Sequence, residues 1–141
     1  MKVIKYLLVF LTLTLVSNAD LINDYLNKNY HKICSFKNIK KYKNNEKALS
    51  IIGVSCIKID NIYMLSYIIN KLKNTDYGRK NVIYFLTVFM EKKLLYSYLF
   101  DGISLKAFSF PMTDYVLSVI FNAIKNNNFK KIGDLIIVEE K

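Results

Sequence analysis

Three observations predict an all-α fold, a small helical bundle or a degenerate array of helical hairpins with about five to six helices after a leader. Apolar residues recur at three-and-four spacing from Leu21 to Ile33. Two further apolar-periodic runs, Asn45 to Ile59 and Asp60 to Lys73, follow each other across a short turn. The longest segment with almost no polar side, Val82 to Phe100 (VIYFLTVFMEKKLLYSYLF), reads as one long helix. At about 100° per residue, its only strong polar interruption, Glu91-Lys92-Lys93, fans over roughly half of the helical wheel. Apolar side chains occupy nearly every angle, so the sequence predicts a central helix surrounded by its neighbours. Three charged residues in mid-helix argue against a membrane span, because each would sit near the bilayer centre.

The chain opens with the pattern of an export leader. Lys2 and Lys5 form a positive start, Tyr6 to Val16 an apolar core, and Ser17-Asn18-Ala19 a run of small residues. Cleavage is expected between Ala19 and Asp20, leaving residues 20–141 as a single helical domain in a periplasm or beyond. The apolar core is too short for an uncleaved anchor, which needs about twenty residues.

The whole chain carries a net charge of +10. Without the leader's two lysines, 19 basic residues face 11 acidic ones, a balance of +8. An anionic partner such as lipid headgroups or cell-wall polymer fits that sign. So does a compositional cause, since Lys, Ile, Asn and Tyr together are what an AT-rich genome writes. Twenty of the 21 basic residues are Lys. Arg supplies the bidentate phosphate fork, so its near absence argues against nucleic acid.

The two cysteines, Cys34 and Cys56, are an even pair in a chain expected to be exported, and predict one disulfide. Their spacing is not that of a redox or haem motif. His31 lies three residues before Cys34, a spacing that could place both on one helical face, but two ligands are too few for a metal site.

Leu21, Ile22, Tyr25, Leu26, Tyr30 and Ile33 mark the packing face of the first mature helix. Lys37 to Lys47 (KNIKKYKNNEK) carries five Lys and one Glu. Lys37, Lys40, Lys41, Lys43 and Lys47 around Tyr42 make an anionic-partner patch, with a solvated linker as the plainer reading. The next helix carries Ala48, Leu49, Ile52 and Cys56 around an interior Gly53, which costs about 1 kcal/mol relative to Ala and so marks close approach of another helix. Asp60 is the expected N-cap of its partner arm, with Ile62, Leu65, Ile68, Ile69 and Leu72 inward.

Leu49, Ile52, Gly53 and Cys56 on one arm, with Leu65, Ile69 and Leu72 on the other, resemble the spacing of a tetratricopeptide repeat; Ala48, Gly53 and Cys56 are similar to the related Sel1 type. The resemblance covers about thirty residues. It implies that Ala48 and Gly53 let the arms approach, that Leu65 and Ile69 pack against them, and that stacked hairpins form a peptide-binding groove. Leu49 stands where the family has an aromatic residue and Leu65 where a small one is usual, so the implied array is degenerate.

Thr75-Asp76-Tyr77-Gly78 forms a capping turn before the central helix, and Asp101-Gly102 ends that helix. Ile103 to Met112 is an irregular crossover packed by Phe108 and Phe110, because the residue before Pro111 disfavours helix. Thr113 and Asp114 open the next helix, which Asn126-Asn127-Asn128 stops. Phe129 to Val138 is assigned as a short final helix, with LIIV as a possible strand.

Chemistry-bearing motifs are missing. Asp60, Asp76, Asp101 and Asp114 sit at caps or turns, and Glu46 and Glu91 in charged helical faces. Neither a glycine-rich phosphate loop nor a HExxH or GxSxG motif occurs. The chain therefore reads as a non-enzymatic protein without cofactor or metal. Its expected work is binding another protein as an adaptor module. Alternatives are an immunity or inhibitor protein against a toxin or wall-degrading enzyme, and a basic protein for an envelope polymer or anionic lipid.

Overall fold

The computed structural model describes residues 19–133 and 135–138; they are mostly helical, with one two-stranded sheet. The all-α expectation holds. The leader expected at Met1–Ala19 lies outside the described residues except for Ala19, and Ala19 and Asp20, either side of the expected cut, are exposed at the start of a helix. Where one domain was expected, the chain divides into two compact units with the boundary between Val82 and Ile83.

The N-terminal unit holds α1 (19–26), α2 (Tyr30–Ile33), α3 (Phe36–Lys41), α4 (Glu46–Lys58), a 3-10 turn (Ile62–Leu65), α5 (Ser66–Ile69) and the opening turns of α6 (Asp76–Asp101). The continuous helix expected from Leu21 to Ile33 breaks at Lys28, whose φ is +58°. Asn29 causes the break, because its amide nitrogen and side chain both turn back to Asp24, at 2.9 and 3.2 Å, in place of the helical ladder. The basic run expected as linker forms α3 instead. Ser35 accepts from the Asn38 amide at its start (3.3 Å), and Asn45 accepts from the Ala48 amide to begin α4 (3.1 Å). Leu49, Ile52 and Cys56 on α4, with Ile33, Ile39, Ile62, Leu65, Ile68 and Leu72, make the core of this unit.

The helix expected from Asp60 to Lys73 is also interrupted. Asp60, with φ +58°, closes α4 rather than capping the next helix. The 3-10 turn that follows rotates about 120° per residue, which aligns Ile62, Leu65 and Ile68. Ile68 is therefore fully buried, and Ile69, expected inward, is half-buried.

The C-terminal unit takes the rest of α6, an irregular stretch, α7 (Val116–Lys125), β1 (Lys130–Ile132) and β2 (Leu135–Ile137). Gly102 ends α6 in the left-handed conformation (φ +68°), and the Ile103 amide returns to the Ser97 carbonyl at 3.2 Å. The crossover then drops Leu105 into a core with Leu95, Phe121 and Ile124, against which Phe108 and Phe110 pack as expected. Phe129 to Val138 is a hairpin, not the helix assigned to it: Gly133 (φ +60°) lies at its turn, and Lys131 faces Ile136 across antiparallel strands. β-Branched Ile132, Ile136 and Ile137 suit extended backbone, and only Ile136 reaches the core.

The expectation of a fully surrounded central helix is overturned. Phe85, Val88, Glu91 and Leu95 form the buried stripe of α6, whereas Ile83, Leu86, Met90, Tyr96, Leu99 and Phe100 are exposed. Both glutamates expected on charged faces are buried as well, Glu46 at 7% exposure and Glu91 at 0%. Among the described residues, no helix is long and apolar enough to cross a membrane.

Candidate binding faces

α3 is short, but its sides differ sharply. Ile39 points into the core at 1% exposure, while Phe36, Lys37, Lys40 and Lys41 are exposed. At 100° per residue, Phe36 and Lys40 share one strip, and Lys37 and Lys41 the next. The Lys40 ammonium lies 4.8 Å from the centre of the Phe36 ring. On the N-terminal unit's surface, Phe36 also meets Tyr67 of α5 edge to face, with ring centres 5.2 Å apart. Lys43 and Lys47 are exposed beyond α3. Tyr42, expected as the aromatic of this patch, is buried, with the Lys41 ammonium 4.9 Å from its ring centre.

Cys34 and Cys56 are joined, with Cα atoms 5.0 Å apart, which fastens the entry to α3 onto α4. The Asn38 side chain donates to the carbonyls of Lys32 and Ile33 and locks the α2–α3 corner. Beside α3 runs an open groove of about 520 Å³, lined by Lys32, Lys37, Lys41, Ser35, Asn38 and Tyr42, with Asp20 and Asp24 as its acidic members. Lys32 pairs with Asp24 at 2.8 Å, and hydrogen bonds from Lys32 and Asn29 hold that carboxyl below its ordinary pKa. His31 is exposed and Cys34 is in the bridge, so the pair offers no metal site. Among the described residues, no three His, Cys, Asp or Glu side chains cluster for a metal ion.

Glu46 is held by the turn that precedes α6. Its carboxylate accepts from the amides of Lys73, Asn74 and Thr75 at 2.7–3.0 Å and from the Thr75 hydroxyl. That hydroxyl, with the backbone donors behind it, pulls the Glu46 pKa down. Gly78 leaves room for the arrangement: a Cβ there would run into the Glu46 carboxylate and the Thr75 hydroxyl. This is a structural clasp, its donors already occupied.

In the C-terminal unit, Glu91 accepts from the Ser118 hydroxyl at 2.7 and 2.9 Å. Ser118 Oγ accepts from the Thr113 amide and lies 2.6 Å from the Thr113 hydroxyl. Burial pushes the Glu91 pKa up, against the opposing pull of Ser118. Nearby, Tyr84 donates to Asp114 at 2.8 Å, and burial raises its pKa too. Asp114 and Thr113, read as capping groups, thus act through side-chain bonds to α6 and α7, and α7 itself begins later, at Val116.

Ala48, Gly53 and Leu65 of the expected hairpin packing are buried. Sequence reasoning missed Phe36 and Tyr67. The one-turn spacing of Phe36 and Lys40 was legible, but the meeting with Tyr67 was not. It also missed the burial of Glu46 and Glu91, for which linear spacing carries no signal. No family model, curated protein or solved structure matches the chain.

Proposed function

We propose that this is an exported, non-enzymatic helical protein that acts by binding another protein through the exposed apolar side of α6. The observation that carries the reading is the stripe Ile83, Leu86 and Met90, 58%, 42% and 39% exposed at three-and-four spacing. Beyond the exposed Lys93, and about 100° further round the helix, the same helix also bares the stacked pair Tyr96 and Phe100. Phe100 is 77% exposed. Large apolar side chains left this exposed are costly in water, and a partner that covers them removes the cost. Flexible Met and paired aromatics are the side chains that recognition surfaces favour. Export is supported by the charged and apolar pattern of Lys2 to Val16 and by the Cys34–Cys56 bridge, which an oxidising compartment preserves. An immunity or inhibitor protein is the form this activity takes if the partner is a toxin.

Affinity capture from envelope extract, with wild type beside a Leu86→Glu/Met90→Glu variant, tests the reading. Wild type is expected to retain one partner at constant stoichiometry, and the variant to lose it by a factor of about 100, roughly tenfold for each charge placed in the contact. Equal retention by both would remove α6 as the contact. Retention of no stoichiometric partner would remove the function.

A further inference from the structure

The net positive charge is concentrated in one part of the chain. Residues 20–82 contain twelve Lys and Arg against five Asp and Glu, whereas residues 83–141 contain seven against six. Within the first group, α3 combines that charge with an exposed aromatic ring, Phe36 at 46%, which meets the 51% exposed Tyr67 of α5. We propose that α3, with the Phe36–Tyr67 pair, is a docking face for the surface of an anionic lipid bilayer.

The chemistry of each group fits that occupant. Lysine is a compact point charge, attracted to an anionic headgroup layer without needing fork geometry. Lys37, Lys40 and Lys41 project from one exposed side of α3, opposite the buried Ile39. Tyr67 offers an apolar ring with a polar tip, the amphipathic form that settles at the headgroup level, and Phe36 supplies a fully apolar ring beside it. The face is fixed before binding: the Cys34–Cys56 bridge, the Ser35 cap and the Asn38 bonds hold α3 in place, so little ordering entropy opposes docking.

A nucleic-acid or glycan strand fits less well. Stacking a base or sugar needs an open ring face, but the Lys40 ammonium lies over Phe36 and the two rings meet at 77°. The chain's single Arg lies elsewhere, Arg79 donating to the carbonyls of Lys73 and Asn74.

The test is co-sedimentation of residues 20–141, disulfide intact, with phosphatidylcholine vesicles that contain or lack phosphatidylglycerol. Binding is expected only to the anionic vesicles and should weaken steeply with salt. Lys37→Gln/Lys40→Gln/Lys41→Gln, all at exposed positions, should cut it by about 100-fold, near fivefold per lysine. Phe36→Ser/Tyr67→Ser should weaken binding while leaving the salt dependence in place; circular dichroism checks its fold, and the lysine variant decides if that fold is lost. Equal binding to neutral vesicles would overturn the proposal. So would an unchanged lysine variant, an aromatic variant that folds and binds like wild type, or tighter binding to heparin or single-stranded DNA than to anionic vesicles. The α6 substitutions of the capture experiment leave this face untouched, so the two readings fail separately.

Discussion

Glu91 shows how one side chain can set the response of its surroundings to pH. It sits mid-helix between Met90 and Lys92, where linear patterning assigns it to a charged face, yet it is fully buried with the Ser118 hydroxyl as its hydrogen-bond partner. Burial favours the neutral acid, so its folded pKa lies above the unfolded value of about 4.3. A group raised in the fold contributes stability that is full below the unfolded pKa and is lost as pH rises through the folded one. Glu91→Gln keeps an oxygen for Ser118 and removes the charge. The variant should therefore be more stable than wild type at pH 7 by about 1 kcal/mol, with the gain shrinking toward pH 4, as read by urea midpoints. A variant less stable at pH 7 would show that the ionised carboxylate is needed.

At the scale of elements, α3 depends on its tethers. Six residues are far below the roughly twelve to fifteen at which an isolated helix becomes even marginal in water, so Ile39 burial, the Ser35 cap and the bridge to α4 must hold it. The bridge spans 22 residues, for which chain entropy gives roughly 3 kcal/mol. Cys34→Ser/Cys56→Ser should lower unfolding free energy by about that amount, and hydrogen exchange should rise first at the Ile39 and Lys40 amides. The expected bridge was legible because two cysteines in a chain expected to be exported leave one pairing. The breaks at Lys28 and Asp60 were not, because apolar spacing continued across both. Asn29 competing for Asp24, and 3-10 rather than α rotation after Asp60, are local hydrogen-bond outcomes that a 3.6-residue period does not register.

At the scale of the molecule, the two units carry buried glutamates of opposite sense. Glu46, held by the Thr75 hydroxyl and backbone amides, has a lowered pKa, so its contribution is present above the unfolded value and lost as pH falls through the folded one. Glu91 behaves the other way. Acidification from pH 7 toward pH 3 should therefore weaken α4 and strengthen α7. Native-state hydrogen exchange, corrected for intrinsic amide chemistry, measures both in one experiment; parallel trends would contradict the opposed roles. By itself, the amino-acid order determined the helical class, the disulfide pair, the stop at Gly102, the aromatic crossover and the concentration of lysine near α3, because each rests on neighbours within a turn or on simple counting. Tertiary structure alone decided which side of α6 is bare, that both glutamates are buried, that Phe36 meets Tyr67, and that the last segment is a hairpin. Burial is a property of what other segments cover, and an almost uniformly apolar helix contains no record of which of its faces that will be.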